Sequence, residues 1–366
     1  MKKICYLGDA NNSHVIKWCN FFKNKDYEIH VISLNGGDID GVNVHNFQTN
    51  VNEVKNEKIY KKLSYLGHIK NIRSLVKKIN PDILHAHYAS SYGFIGTLLG
   101  HRPYIISVWG TDIYDFPRNG FIQKNIIKHN FKYADYIFTN SIDMAREVNL
   151  YTKKEAKITY FGVDVDKFRP LNGYRDEKYF TFGIVKSLEK KYGIKYLIDA
   201  FEMLYNRYSG ELFGKKLRLK IGGEGNEKEN LIQQISTLNS RDNISLLGRV
   251  PSHELEYVYN SCDVCVFPSL SEGFGVSVIE AEACAIPVII TRVGGHPETV
   301  IENETGLIVE SNSAQELLNA MNRLLRDESL RNKLANNARE FVVENYSFEK
   351  NFEDIGSIYD EILSIK

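Results

Sequence analysis

Short apolar runs rich in β-branched residues alternate along this chain with longer stretches whose apolar residues return at helical spacing. That alternation predicts βαβ units and parallel sheets. In the first half the runs near Lys3–Leu7, Ile29–Ser33, Ile83–His87, Tyr104–Val108 and Tyr136–Thr139 read as strands. Helical patterns lie between them near Ser13–Lys23, His68–Ile79, Phe121–Tyr133 and Met144–Asn149. The pattern stops at Phe168-Arg169-Pro170-Leu171-Asn172-Gly173, where Pro and Gly bracket a non-periodic stretch, as in a linker. It then restarts. Strands are expected near Phe180–Val185, Leu217–Gly222, Ile244–Leu247, Val264–Phe267, Val288–Thr291 and Gly306–Val309, with helices near Ile194–Tyr208, Glu227–Leu238, Ser252–Asn260, Val276–Ala283, Ala314–Arg326 and Ser329–Glu344. A last helical run, Phe348–Leu363, follows the complete second set.

A length of 366 residues suits two such domains. Lys plus Arg and Asp plus Glu are both 46, so no global charge excess points to nucleic acid. The opening Met1-Lys2-Lys3-Ile4-Cys5-Tyr6-Leu7 is halted by Gly8-Asp9, too short for a signal-peptide core. No stretch approaches the roughly 18 apolar residues that span a bilayer. A cytoplasmic protein is expected, with any membrane contact peripheral, at the inner face. Lys61-Lys62 and the run from Lys70 to Lys78, with Arg73 and Lys77 on one helix face, are the basic clusters that an anionic leaflet would attract. The alternative is a solvated helix. The five cysteines form no regular framework and read as reduced thiols, and the Cys262–Cys265 pair has no partner pair to complete a zinc site.

The segment richest in chemistry is Pro268-Ser269-Leu270-Ser271-Glu272-Gly273-Phe274-Gly275-Val276-Ser277-Val278-Ile279-Glu280-Ala281. A strand ends just before it and a helix begins near Val276. Its glycines let the backbone approach a ligand, and the first helical turn offers N–H groups to an anion. Glu272 and Glu280 flank that anion site, an arrangement suited to hydroxyl-rich groups beside a phosphate. A solvated loop Glu with a helix-surface Glu is the other reading.

Glu272 to Glu280 resembles the E-x7-E pattern of the retaining group-1 (family 4) glycosyltransferases. Four further stretches are similar to motifs of that family, in the right order: Gly222-Gly223-Glu224-Gly225, Asn243 to Val250, Val293-Gly294-Gly295-His296-Pro297-Glu298 and Thr305-Gly306-Leu307. Phe161 to Pro170 resembles its interdomain junction. The resemblance implies an α/β GT-B fold, two Rossmann-like domains facing across a cleft. The domains would be 1–167 and 168–347, with a C-terminal helix, 348–366, returning to the first. It implies that Glu280 binds donor ribose hydroxyls, and that Glu272, with the backbone of Phe274, Gly275 and Val276, holds the donor sugar and diphosphate. Gly223 and Val250 would line the base pocket. The family's Arg and Lys on the first loop of the second domain are here Lys186 and, with Tyr192 in the usual Lys place, Lys191. Lysine supplies charge without the bidentate fork of arginine. With that charge available, Asp38-Ile39-Asp40 and Asp164-Val165-Asp166 read as structural, and no metal or other cofactor is expected.

The first half departs further from the family. The loop Gly8 to His14 lacks the common double glycine but still joins a strand to a helix, with Ser13 as the expected N-cap. Gly8 is assigned to the donor side, and His14 either contacts a substrate or packs at the helix start. His85 and His87 share one strand face; His87 is placed with the catalytic residues as a polar group lining the cleft that could assist acceptor deprotonation, its alternative being a satisfied core residue. Trp109 stands where many relatives carry His, and is placed on the acceptor side. Asp112 is assigned to assisting deprotonation of the acceptor hydroxyl, its alternative being a turn cap.

The implied activity is transfer of a hexosyl group from a UDP- or GDP-linked sugar to the hydroxyl of a saccharide or lipid-linked saccharide, in surface polysaccharide synthesis, with retention. The alternatives are a nucleotide-sugar epimerase of similar fold and a non-catalytic nucleotide-sugar-binding protein. A dinucleotide-dependent oxidoreductase would want G-x-G-x-x-G after the first strand, and Gly8 to Ser13 does not supply it.

Overall fold

The computed structural model describes residues 1–47 and 64–365, so Lys61-Lys62 lies outside the described residues. The chain divides into two compact units, Met1–Phe161 with Phe352–Lys366, and Gly162–Asn351.

The first unit is built on a parallel sheet of β1 (Lys2–Leu7), β2 (Tyr27–Ser33), β3 (Asn43–Asn46), β4 (Ile83–His87), β5 (Tyr104–Val108), β6 (Tyr136–Thr139) and β7 (Ala156–Ile158). Their order is β3-β2-β1-β4-β5-β6-β7. The inner strands β4 and β5 are buried along their whole length, which is why they read as continuous apolar runs. β3 and β7 are short, partly exposed edges with little apolar signal, and the periodicity does not show them. Helices α1 (Ser13–Lys23), α2 (Ile69–Ile79), α3 (Ser91–Leu99), α4 (Phe121–Tyr133) and α5 (Ile142–Val148) connect the strands. The cap of α1 is Asn12 rather than Ser13: its side chain accepts the His14 and Val15 N–H groups at 2.8 and 3.4 Å.

One face of this sheet is an aromatic layer. Trp18 and Phe22 of α1 meet Phe352 and Tyr359, which belong to the last helix. The Tyr359 hydroxyl is hydrogen-bonded to His85 Nδ1 at 2.6 Å, and His85 Nε2 is bonded to Ser107 Oγ at 2.7 Å. His85 is therefore a satisfied core histidine.

The second unit carries β8 (Tyr179–Val185), β9 (Glu211–Leu212), β10 (Lys215–Gly222), β11 (Ile244–Gly248), β12 (Val264–Phe267), β13 (Val288–Thr291) and β14 (Gly306–Val309). Their order is β11-β10-β8-β12-β13-β14, parallel throughout, with β9 antiparallel on β10. Helices α6 (Ile194–Tyr208), α7 (Lys228–Ser236), α8 (Leu255–Asn260), α9 (Val276–Ala283), α10 (Ala314–Arg326) and α11 (Glu328–Tyr346) complete it, and α12 (Phe348–Ser364) leads back to the first unit. Residues 168–173 belong to the second unit, where Leu171 N–H donates to Asn260 Oδ1 at 2.8 Å. Cys262 and Cys265 are buried free thiols.

Strand order reverses between β1 and β4 in the first sheet and between β8 and β12 in the second. In open parallel sheets the crevice at such a switch point, outside the carboxyl ends of the strands, is where ligands bind. Among the described residues no helix is long and apolar enough to cross a membrane.

Candidate active site

At the switch point of the second sheet, β8 ends in Val185 and β12 in Phe267. The loops that leave them are laced together by the Leu270 N–H donating to the Lys191 carbonyl at 2.7 Å. A third loop, Val293 to Pro297, closes over the second. Gly294 has φ of +49°, and a Cβ there would lie 1.9 Å from the Glu272 carbonyl oxygen. Only glycine allows this approach, which lets Gly295 N–H bond the same carbonyl at 3.2 Å. The backbone of Glu272 is thus fixed by residues distant from it in the chain.

The Glu272 side chain is nearly buried, with Lys186 Nζ 2.5 Å from its Oε2 and His296 Nε2 at 3.8 Å. Burial alone would raise the Glu272 carboxyl, but Lys186 and then His296 outweigh it and hold it below the usual carboxylate range. Burial likewise opposes the Lys186 ammonium, but Glu272 and Tyr192 more than compensate, and its pKa is raised. The Lys186 and Lys191 ammonium groups lie 4.6 and 5.1 Å from the Tyr192 ring centre, so the tyrosine that replaces the usual lysine gathers both charges by cation–π contact.

Behind Glu272 the chain turns through Gly275 into α9. Among the described residues no side chain caps this helix start. Phe274 is buried edge-on against Tyr346. Glu280 lies one turn into α9, and the buried Tyr259 hydroxyl donates to its Oε2 at 3.0 Å. On the other side, Gly223 N–H donates to the Gly248 carbonyl at 2.7 Å. A Cβ on Gly223, whose φ is +144°, would sit 1.9 Å from the Lys186 carbonyl oxygen. Val250 packs on the adjacent Gly222, where a Cβ would meet its Cγ2 at 2.8 Å. Lys186, Lys191, Gly223, Val250, Glu272, Phe274, Gly275, Val276 and Glu280 therefore come from the loops and helix start around one switch point.

Two residues here carry no sequence signal of their own. His296 is the variable residue of the Val-Gly-Gly-His-Pro-Glu stretch. It is buried against Gly275. Burial lowers its pKa to about 4, against the pull of Glu272. Tyr259 lies on α8 in no recognisable motif.

At the switch point of the first sheet, Gly8 follows β1 and His87 ends β4. A Cβ on Gly8 would be 3.6 Å from His87 Nδ1. The buried His87 ring lies 4.9 Å from both Tyr6 and Trp18 and 4.7 Å from Trp109, centre to centre. Neither of its nitrogens has a hydrogen-bond partner among the described residues, and burial takes its pKa down to about 3. His14 stacks on Phe161 at 4.0 Å and meets Trp109 edge-on at 5.8 Å, with its pKa lowered to about 4, first by burial.

The bonds of Asp112 are those of its alternative reading, a turn cap. Its carboxylate is buried and accepts N–H groups from Ala89 at 2.7 Å, Gly110 at 2.8 Å and Trp109 at 3.1 Å. Burial pushes its pKa up to about 6 against these bonds. With both oxygens engaged by backbone, it ties together the loops after β4 and β5 and orients Trp109. Of the two Asp-x-Asp pairs, Asp164 Oδ1 accepts the Asp166 and Lys167 N–H groups at 3.1 and 2.9 Å, which makes a turn. Among the described residues no group of three or more His, Cys, Asp or Glu side chains is gathered as metal ligands would be.

Residues 168–341 match the family of group-1 glycosyl transferases, and residues 3–141 match the glycosyl transferase 4-like family. An uncharacterized glycosyltransferase of Methanocaldococcus jannaschii is 30% identical over 352 residues, covering 92% of this chain and 91% of its own. The chain belongs to the group-1 glycosyltransferases. A second member, the capsular polysaccharide biosynthesis glycosyltransferase CapM of Staphylococcus aureus, is 33% identical over 225 residues, 57% of each chain. The GT-B fold of this glycosyltransferase is shared with Anabaena HepE, whose crystal structure is a complex with UDP and glucose. The TM-score is 0.79 at 18% identity, over 98% of this chain and 100% of that one.

Proposed function

We propose that this glycosyltransferase moves a hexosyl group from a UDP- or GDP-linked sugar to an acceptor hydroxyl with retention of configuration, without a metal ion. The observation that carries the reading is the nearly buried Lys186–Glu272 pair beside the uncapped start of α9, with Glu280 one turn further on. A nucleoside diphosphate leaves with growing negative charge. Fixed cations and helix N–H groups are the means of stabilising it in a water-poor site. Lys186, Lys191 and the Gly275–Val276 backbone would meet the diphosphate. Glu272 would then be released toward the sugar, and Glu280, held by Tyr259, would accept the ribose hydroxyls. HepE, with its bound UDP, favours uridine as the first base to test.

Retention by double displacement needs a carboxylate nucleophile under the anomeric carbon. Glu272, committed to Lys186, is poorly disposed for that. A same-face reaction, in which the departing phosphate helps take the acceptor proton, fits better. His14, His87 and Trp109 offer a neutral, aromatic lining for the acceptor, and the name of CapM favours a saccharide or lipid-linked saccharide of a surface polymer.

The test is a thermal-shift screen of the full chain against nucleotide sugars and free nucleotides. One nucleoside diphosphate and its sugars should raise the melting temperature. Saturation at about a hundred times Kd corresponds to about 2.7 kcal/mol of added stability. A flat response to every nucleotide would sink the donor assignment.

A further inference from the structure

Helix α4 exposes what a soluble helix ordinarily hides. Phe121 and Ile122, at its first turn, are 81% and 59% exposed. Of its buried residues, Ile127 and Phe131 join the hydrophobic core and Asn130 donates to the Ala89 carbonyl at 2.9 Å. The outward face carries Lys124, Lys128 and Lys132 at i, i+4 and i+8, all exposed, together with His129 and Tyr133. No Asp or Glu occurs from Phe116 to Ala134. Lys154 adds its ammonium at the far end, donating to the Lys132 carbonyl at 2.8 Å.

Helix α2 holds the basic cluster named from the sequence, and it is built differently. Lys70, Arg73, Lys77 and Lys78 are exposed, but its apolar residues Ile72, Val76 and Ile79 are all buried, and Arg73 Nη2 is bonded to the Leu98 carbonyl at 2.5 Å. It is a solvated face. Of these two helices, α4 is the one that joins charge to exposed apolar side chains.

We propose that α4 is a docking face for an anionic lipid bilayer. Phe121 and Ile122 enter the boundary between headgroups and acyl chains, and Lys124, Lys128 and Lys132 sit among the anionic headgroups. Apolar anchors with a lysine stripe are the composition of an interfacial helix. A second copy of the chain is a poor occupant, because an isologous contact would set lysines against lysines. A soluble polyanion would satisfy the lysines but leave Ile122 in water.

The proposal does not depend on the donor assignment, and its test reads binding alone. The full chain is sedimented with vesicles of phosphatidylcholine, with and without phosphatidylglycerol, at low and high salt. Wild type should bind only the anionic vesicles, and part of that binding should survive high salt. The triple variant K124Q/K128Q/K132Q should bind about a hundredfold more weakly. F121S/I122S should lose the salt-resistant part. K70Q/R73Q/K77Q, on α2, should bind as wild type does. All three variants change exposed residues, and unchanged melting temperatures confirm folding. The proposal is overturned if the α4 variants sediment like wild type, if the α2 variant is the one that fails, or if wild type ignores vesicles while binding soluble polyphosphate.

Discussion

In the second unit a carboxylate and an ammonium lie 2.5 Å apart at the strand ends, with a buried imidazole 3.8 Å from the carboxylate. At the strand ends of the first unit an imidazole is packed among Tyr6, Trp18 and Trp109, and the nearby carboxylate of Asp112 is given over to backbone. Both sites stand at a topological switch point, so the fold does not account for the contrast. It lies in what each loop does with charge. The second unit keeps opposite charges paired and partly dry, ready to exchange partners with a charged ligand. The first neutralises its titratable groups by burial and offers ring faces and polar edges. A diphosphate suits the former, and a neutral, hydroxyl-rich acceptor the latter.

The largest effect should follow from breaking the charged pair. In Glu272→Gln, Lys186 loses its carboxylate and the sugar loses a charged acceptor. Turnover should fall at least a hundredfold, the scale for removing one preorganised electrostatic contact. Affinity for the free nucleoside diphosphate should stay within about threefold, because Lys186 still meets the phosphates. A variant that keeps its turnover would place the chemistry elsewhere.

Glu280→Gln should instead weaken binding of donor and free nucleotide alike, by about tenfold to a hundredfold, since each charge-assisted bond to a ribose hydroxyl is worth roughly 1.5–3 kcal/mol. Tyr259→Phe sharpens this. It removes the hydrogen bond that orients Glu280 and should cost about fivefold in the same titration, near 1 kcal/mol. Unchanged nucleotide affinity in Glu280→Gln would leave the ribose contact without its carboxylate.

The parallel strands and the Pro268–Ala281 segment were legible because each is continuous in sequence: apolar runs for buried strands, glycines and carboxylates at fixed spacing for the loop and helix. What was not legible is non-local or weakly patterned. Asp112 looks like a loop carboxylate until the Ala89 N–H of another loop reaches it. His296 meets Glu272 only because the Gly294–Gly295 turn folds back over residues 272–273. Helix α3 escapes periodicity because it is short and carries Gly93 and Gly96.

The neutral site of the first unit makes a prediction about pH. The folded pKa of His87, about 3, lies below the ordinary value near 6.5, so the unfolded chain binds the proton more readily. The stability tied to His87 is complete above pH 6.5 and is lost as pH falls toward 3, by about 1.4 kcal/mol per unit. Between pH 7 and pH 5, His87→Gln should therefore lose about 2 kcal/mol less stability than wild type in denaturant titrations. The slope is the readout, since the substitution also changes the overall level. Parallel slopes for the two proteins would mean that His87 protonates as easily folded as unfolded.

The smallest expected effect is the absence of one, and it bears most directly on the charged site. If Lys186, Lys191 and the start of α9 carry the diphosphate, excess chelator should leave turnover unchanged. A metal route would need a carboxylate pair to present oxygens to the ion. The Asp164 oxygen that turns toward the chain already accepts two N–H groups. On Asp40, Lys23 lies 3.9 Å from the carboxylate and donates to the carbonyl at 2.5 Å. Asp164 is thus engaged in a turn and Asp40 lies beside a lysine, whereas at the switch point Lys186 pairs with Glu272 and both Lys186 and Lys191 lie against the Tyr192 ring. Initial rates measured with chelator, then with added Mg²⁺ or Mn²⁺, decide the matter. Rates that collapse and recover with the ion would move the stabilising charge off Lys186, and the paired carboxylate and ammonium would then be structural.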